Sequence, residues 1–136
     1  MDNKNTCCNK ECISKMFDLF IYALKNGYAV EGLNGRATRL EFGSFVLFAF
    51  LINIACNIVF GMIGLGFLSI LVSLALIPAG VCVGVRRLHD LDYSGWFYLV
   101  FLIPFVNLVM LVLLLAIKGT EGSNKFGNVS PNTCKI

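Results

Sequence analysis

The sequence predicts an all-α membrane protein, with three transmembrane helices preceded by a short amphipathic helix at the membrane interface. Of its 136 residues, 57% are hydrophobic and only 14% are charged, whereas soluble domains carry roughly 25% charged residues. Two long runs, residues 42–85 and 96–117, contain no Asp, Glu, Lys, Arg or His. If these runs cross a membrane, most Lys and Arg residues lie on the same side of it as the amino end, which indicates an orientation.

The lengths of the two uncharged runs set the expected number of helices. About 20 helical residues cross a hydrocarbon layer of ~30 Å, so residues 42–85 suffice for two crossings. Three glycines in six residues near the middle of that run favour a turn. Because backbone groups in lipid must bond within their own segment, we expect helices at 39–60, 67–86 and 95–117. Pro104 interrupts the third of these.

The distribution of basic residues predicts the orientation of the helices. Six of the eleven Lys and Arg residues precede the first uncharged run, two lie between the two runs, and three follow the second run. The connection between the first two helices has none. Since basic residues favour the cytoplasmic side, we expect a cytoplasmic amino end. The three lysines of the tail leave open a broken third segment that returns the tail to the cytoplasm.

Three regions are expected along the chain. Residues 1–34 form a cytoplasmic amino-terminal segment, in which apolar residues recur at helical spacing over positions 13–24. This pattern predicts an amphipathic helix that lies in the membrane interface or, alternatively, packs on the protein's own cytoplasmic face. Gly27 is expected to end that helix. Residues 35–127 form the membrane domain, and residues 128–136 form a flexible tail.

Two local patterns refine the membrane domain. Thr38 and Glu41 have the form of a capping box, in which each side chain bonds the backbone N–H of the other residue. The first membrane helix should therefore begin near Arg39. Gly80 and Gly84 have the spacing of a small-residue helix contact. We expect that contact to lie within one chain, with an oligomer seam as the alternative.

Four polar residues inside the predicted membrane helices are candidates for a contact between helices, and three of them lie at a similar depth. They are Asn53, Asn57, Ser73 and Asn107. Hydrogen bonds between membrane helices average ~0.6 kcal/mol, so we interpret these residues as a structural seam. The alternative is a small permease or transporter subunit. The uncharged runs 42–85 and 96–117 lack Asp, Glu, Lys, Arg and His, which are the usual groups of proton relays and ion coupling.

The densest charge in the chain lies around the predicted turn between the second and third helices. In the predicted topology this turn is on the same side of the membrane as the basic residues at the start of the first helix. A basic pocket at this level suits anionic lipid headgroups, or it orients the protein and forms the turn. If the second helix continues past Arg86, that residue and Asp90 form an i,i+4 pair. The candidate binding residues are Arg36, Arg39, Glu41, Arg86, Arg87, His89, Asp90 and Trp96.

Other chemistry receives little support from the sequence. His89 and Asp90 suggest a membrane enzyme as a further alternative, but no nucleophile or metal set accompanies them. Cys7, Cys8 and Cys12 do not form a CxxC pair and no histidine lies nearby, which favours a reduced cytosolic segment over a metal site. We predict no catalytic residue, no metal, no cofactor and no nucleic-acid partner.

Three blocks, taken together, resemble the family called domain of unknown function 805 (DUF805). They run Gly35-Arg36-Ala37-Thr38-Arg39-Leu40-Glu41-Phe42, then Arg86-Arg87-Leu88-His89-Asp90 leading to Ser94-Gly95-Trp96, then residues 119–127. The resemblance implies a bacterial inner-membrane protein and supplies no activity. We therefore expect a multi-pass, non-enzymatic module whose basic cytoplasmic face binds anionic phospholipid or a membrane partner protein.

Overall fold

The computed structural model describes residues 10–28, 33–120 and 122–128, with side chains from residue 13 onward. Its elements are α1 (Lys10–Gly27), α2 (Arg39–Met62), α3 (Phe67–Asp90), a 3-10 helix (Gly95–Leu102) and α4 (Pro104–Ala116). These described ranges contain helices and no β-strand. The side chains of Cys7, Cys8 and Cys12 and nearly all of the predicted tail lie outside the described residues.

The two long helices α2 and α3 form an antiparallel pair. Glu41 contacts Arg86 near one end of the pair at 2.8 Å, and Ser73 donates a hydrogen bond of 2.5 Å to Asn53 further along it. The tight connection between them includes Gly64, whose φ of 76° favours glycine. The predicted break between the first two membrane helices is therefore confirmed.

The surfaces of α2 and α3 are suited to lipid. The most apolar 18-residue windows have mean hydropathies of 2.3 and 2.4, yet only 6% and 28% of these windows are buried within the protein. A core helix of a soluble protein would bury such a surface. At ~1.5 Å per residue, each helix of 24 residues is about 36 Å long, enough to cross ~30 Å of hydrocarbon.

Helix α1 packs across this pair and ends at Gly27, as predicted. The ring of Phe20 lies 5.7 Å from that of Phe45 and 5.4 Å from that of Phe48. A Cβ atom on Gly27 would overlap the backbone of Ala79 in α3. The helix therefore contacts the protein's own helices closely, while its place in a membrane interface or on a cytoplasmic face stays a prediction.

The third apolar segment is not one continuous helix, contrary to the prediction for residues 95–117. It forms a 3-10 helix over Gly95–Leu102, and Ile103 is extended, with φ −89° and ψ 112°. The cause is Pro104, which disfavours the helical conformation of the preceding residue and then begins α4 at its first turn. The three-span prediction is not confirmed, because two of the described helices are long and apolar enough to cross a membrane.

The other predicted boundaries shift by a few residues. Helix α2 ends at Met62 rather than at residue 60, and α3 continues four residues beyond 86 to Asp90. Gly80 faces the ring of Phe45, and Gly84 is covered so closely by Tyr98 that an added Cβ would overlap that ring. Both glycines therefore make contacts within the chain, as we expected.

Candidate functional site

Asp90, at the end of α3, pairs with two buried arginines. The Arg36 guanidinium lies 2.9 Å from Oδ1 of Asp90, and Arg87 forms an ion pair with Oδ2. All three side chains are at most 9% exposed. The expected i,i+4 pair of Arg86 with Asp90 is absent, because the neighbouring Arg87 occupies that carboxylate and Arg86 points to α2.

Glu41 and Arg86 form a second buried pair, with Nη1 of Arg86 2.8 Å from Oε1 of Glu41. Thr38 caps α2 as predicted, since its hydroxyl accepts a hydrogen bond of 3.1 Å from the Glu41 N–H. The reciprocal half of the capping box is replaced, because the Glu41 side chain binds Arg86. The guanidinium of Arg86 also lies 5.5 Å from the centre of the Tyr22 ring in α1, a cation–π distance.

The segment that follows α4 is attached to the end of α3 by its polar groups. Arg36 donates hydrogen bonds of 2.5 Å to the carbonyl oxygens of Thr120 and Gly122. The backbone N–H of Thr120 donates to the carbonyl oxygen of Asp90 at 2.9 Å. Asn124 donates to the carbonyl oxygen of His89 at 2.8 Å. These four hydrogen bonds thus hold the segment against the end of α3 and the residue Arg36.

The fit of this segment depends on Gly119 and Phe126. A Cβ atom on Gly119 would overlap the Asp90 carboxylate, so the backbone approaches that group as only glycine allows. The ring of Phe126 stacks on His89, with centroids 3.9 Å apart and planes within 6°. The histidine ring is thereby covered by the segment rather than presented to solvent.

Arg87 connects the same cluster to the end of α4. Its Nε donates a hydrogen bond of 2.9 Å to the carbonyl oxygen of Leu114, and its Nη2 donates one of 2.5 Å to that of Ile117. Carbonyl groups in the last turn of a helix lack partners within the helix. Arg87 therefore supplies donors to the end of α4 while it neutralises Asp90.

The remaining candidate binding residues are Arg39 and Trp96, which are less buried. Nη1 of Arg39 is 3.5 Å from the carbonyl oxygen of Ala116, so Arg39 lies beside the end of α4, where the exposed Lys118 follows two residues later. Trp96 is 79% exposed. Of the eight candidates, Trp96 is exposed, Arg39 and His89 are half-buried, and the other five are buried.

The predicted polar seam is partly assembled. Asn53 accepts the hydrogen bond from Ser73, and Asn57 donates one of 2.8 Å to the carbonyl oxygen of Asn53. No side-chain hydrogen bond links Asn107 to the other three within the described residues. The seam is therefore a contact of α2 with α3 that does not include Asn107.

The sequence marked residues 119–127 only as one of the three blocks of the family resemblance and did not predict their contacts with the charged turn. Thr120, Asn124 and Gly119 complete the charged cluster, although they lie about 30 residues beyond it in the chain. The sequence signal that could have indicated these contacts is the set of glycines spaced among hydrogen-bonding residues in 119–127. Across the described chain, no group of three His, Cys, Asp or Glu side chains is arranged to hold a metal ion.

The chain is similar in sequence to two known membrane proteins. The chain is 35% identical to the inner membrane protein YhaI of Escherichia coli K12 over 111 residues, which covers 80% of this chain and 92% of YhaI. It is 33% identical to the inner membrane protein YhaH of the same strain over 120 residues, covering 81% and 93% of the two chains. No solved structure matches it significantly.

The three sequence blocks that meet in the charged cluster also lie within one family match. The profile of the family described as protein of unknown function (DUF805) matches residues 31–128. Its curated relatives are inner membrane proteins, and the two long apolar helices of this chain suit the same setting. The chain therefore belongs to the DUF805 family.

Proposed function

We propose that this chain is a non-enzymatic module of the bacterial cytoplasmic membrane, and that its cytoplasmic face binds anionic phospholipid. The observation that carries this function is the position of Arg39 beside the end of α4, where Lys118 is also exposed. Among the described residues neither cation has a carboxylate partner. Two unneutralised cations at the level of the helix ends are suited to a headgroup phosphate.

The buried arginines support this function indirectly. Arg36, Arg86 and Arg87 are neutralised by carboxylates and backbone carbonyl groups inside the protein. They connect the ends of the helices with the following segment, and these contacts hold the backbone that carries Arg39 and Lys118. Trp96 is exposed at the start of the 3-10 helix, and tryptophan favours the headgroup region of a bilayer.

The two other candidate functions gain no supporting contact. Ser73 and Asn53 bond to each other, and both also bond to carbonyl groups of their own helices, as a structural seam requires. His89 is stacked under Phe126, and Asp90 is held by two arginines. These groups are engaged in the fold, which favours a structural role over a transport path or acid–base chemistry.

Lipid retention tests the proposal. The purified protein is mixed in detergent with phosphatidylglycerol or phosphatidylcholine, and bound lipid is counted by native mass spectrometry. We expect Arg39→Gln with Lys118→Gln to weaken phosphatidylglycerol binding about thirtyfold, since each basic residue near an anionic surface contributes ~1 kcal/mol. Binding of phosphatidylcholine should not change.

A charge-matched control separates a site from general attraction. Lys25 and Lys125 are also exposed, but they lie on α1 and beside Asp92. Lys25→Gln with Lys125→Gln should leave phosphatidylglycerol binding within about threefold of the parent. A threefold change in affinity is less than the ~1 kcal/mol that one basic residue near an anionic surface contributes. An equal loss in both double variants, or no loss in the first, would overturn the proposed site.

A further inference from the structure

We infer that residues 95–117 form a re-entrant hairpin, which enters and leaves the bilayer on the side of the charged turn and contacts the acyl chains of that leaflet. The segment that follows, residues 118–128, then lies on the same side of the membrane as the start of α2. This arrangement is independent of headgroup binding, because it concerns the path of the chain and not the ligands of its surface cations.

The first support is the position of the two ends of the hairpin. At its start, a Cβ on Gly95 would lie 2.9 Å from Val85 and 3.3 Å from His89, both near the end of α3. At its finish, Arg87 donates hydrogen bonds to the carbonyl oxygens of Leu114 and Ile117. Both ends therefore lie against the same last turns of α3.

The second support is length. Eight residues of 3-10 helix at ~2.0 Å per residue span about 16 Å, and the 13 residues of α4 at ~1.5 Å span about 20 Å. Neither part alone crosses ~30 Å of hydrocarbon. Only an end-to-end arrangement would cross it, and that would carry Ile117 away from Arg87. The 3-10 helix instead runs into the bilayer and α4 runs back to the same surface, and the chain reverses at Ile103 and Pro104.

The third support is the chemistry of the reversal. Its flanking residues are apolar and strongly exposed, with Leu102 at 80% and Phe105 at 87%. These side chains continue the apolar surface that α2 and α3 present outward. Irregular backbone in lipid needs partners for its polar groups. The Ile103 N–H donates to the Val100 carbonyl oxygen at 3.1 Å, and the Ile103 carbonyl oxygen accepts from the Asn107 N–H at 2.8 Å.

Charge distribution gives a fourth and separate support. With three crossings, three of the eleven Lys and Arg residues lie on the side opposite the amino end. With the hairpin, all eleven lie on one side, and the connection between α2 and α3, which contains no Lys or Arg, lies alone on the other. The hairpin thus agrees more fully with the cytoplasmic preference of basic residues.

Thiol labelling tests this topology. In a background with all six cysteines replaced by serine, single cysteines are introduced as Leu65→Cys, Ser94→Cys and Ser123→Cys. Intact and permeabilised cells are treated with a membrane-impermeant maleimide, and the signal is normalised to labelling after denaturation. We expect Leu65→Cys to react in intact cells, and the other two to react only after permeabilisation.

The outcome at Ser123→Cys decides between the arrangements. Labelling together with Ser94→Cys supports the hairpin. Labelling together with Leu65→Cys, or no labelling even after permeabilisation, overturns it. Fusions after Ile136 provide a second readout in the natural sequence. Green fluorescent protein should fluoresce and alkaline phosphatase should be inactive, and the opposite pair of results would also overturn the hairpin. Loss of lipid binding on Arg39→Gln leaves these readouts unchanged, so the two proposals fail separately.

Discussion

Arg36 and Asp90 form a buried ion pair 2.9 Å long that connects positions 54 residues apart. Arg36 precedes α2 and Asp90 ends α3, so the pair connects the amino-terminal end of α2 with the carboxyl-terminal end of α3. The same guanidinium also bonds two carbonyl groups of the segment after α4. One arginine therefore joins three parts of the chain that the sequence keeps far apart.

Neutralising Asp90 should destabilise the protein strongly. Asp90→Asn leaves Arg36 and Arg87 buried without a carboxylate, and removal of one partner from a buried pair costs about 3–5 kcal/mol. Thermal unfolding in detergent micelles, followed by the loss of monodisperse protein, measures the effect. Asp92→Asn is the matched control, because Asp92 is more exposed and pairs at 3.5 Å with the exposed Lys125. That change should cost at most ~1 kcal/mol, and equal shifts would contradict the assigned role of Asp90.

A methyl group at Gly119 should release the segment that follows α4. In Gly119→Ala the new Cβ would overlap the Asp90 carboxylate, so the backbone must move away. We expect trypsin to cleave faster after Lys118 and Lys125 in the purified variant. Gly61→Ala serves as the control, because no atom lies within 4 Å of a Cβ there. Unchanged cleavage in Gly119→Ala would show that the close approach does not hold the segment.

The attachment of α1 depends on Gly27 in a comparable way. A Cβ at this position would overlap Ala79 of α3, so Gly27→Ala should separate the end of α1 from the helix pair. Faster tryptic cleavage after Lys25, together with a lower melting temperature, is the expected result. Gly66→Ala introduces the same methyl group where nothing lies within 4 Å. If both variants behave like the parent, α1 is not held by this contact.

Much of the helical layout follows from the sequence, because the chain must satisfy its backbone within lipid. An uncharged run of twice the crossing length predicts two helices with a break between them, and α2 and α3 have that form. The N-cap at Thr38 and the end of α1 at Gly27 also follow from local chemistry. Such features depend on neighbouring residues, so the pattern of the chain suffices to locate them.

The third apolar segment could not be predicted in the same way. Its composition suits one crossing of 22 residues, and Pro104 alone marks a break without deciding whether the chain continues or reverses. The decision depends on Arg87, which bonds the carbonyl groups at the far end of the segment. Contacts between residues about 30 positions apart leave no periodicity, so the role of Arg87 required the structure.

The candidate cluster shows the same limit. Two groups of arginine and carboxylate residues, one around the start of α2 and one at the end of α3, predict a charged site, and these residues do come together. Their burial was not predictable, because it results from the covering segment of residues 119–127 and from α1. Substitution of Arg86 and Arg87 by Gln would consequently test the stability of the fold, whereas Arg39 and Lys118 test binding.

The polar seam between α2 and α3 permits a quantitative test of its structural role. Ser73 donates to the side-chain oxygen of Asn53 at 2.5 Å, and both residues also bond to carbonyl groups of their own helices. A double-mutant cycle with Asn53→Leu and Ser73→Ala should therefore give a coupling energy of ~0.6 kcal/mol, and at most about 1.7 kcal/mol. Reversible unfolding in mixed micelles supplies the four free energies.

The same cycle between Ser73→Ala and Asn107→Leu should give no coupling, because no hydrogen bond joins these side chains in the described part of the chain. A coupling of Asn107 as large as that of Asn53 would place the start of α4 against the seam, and would contradict the assignment of the seam to α2 and α3 alone.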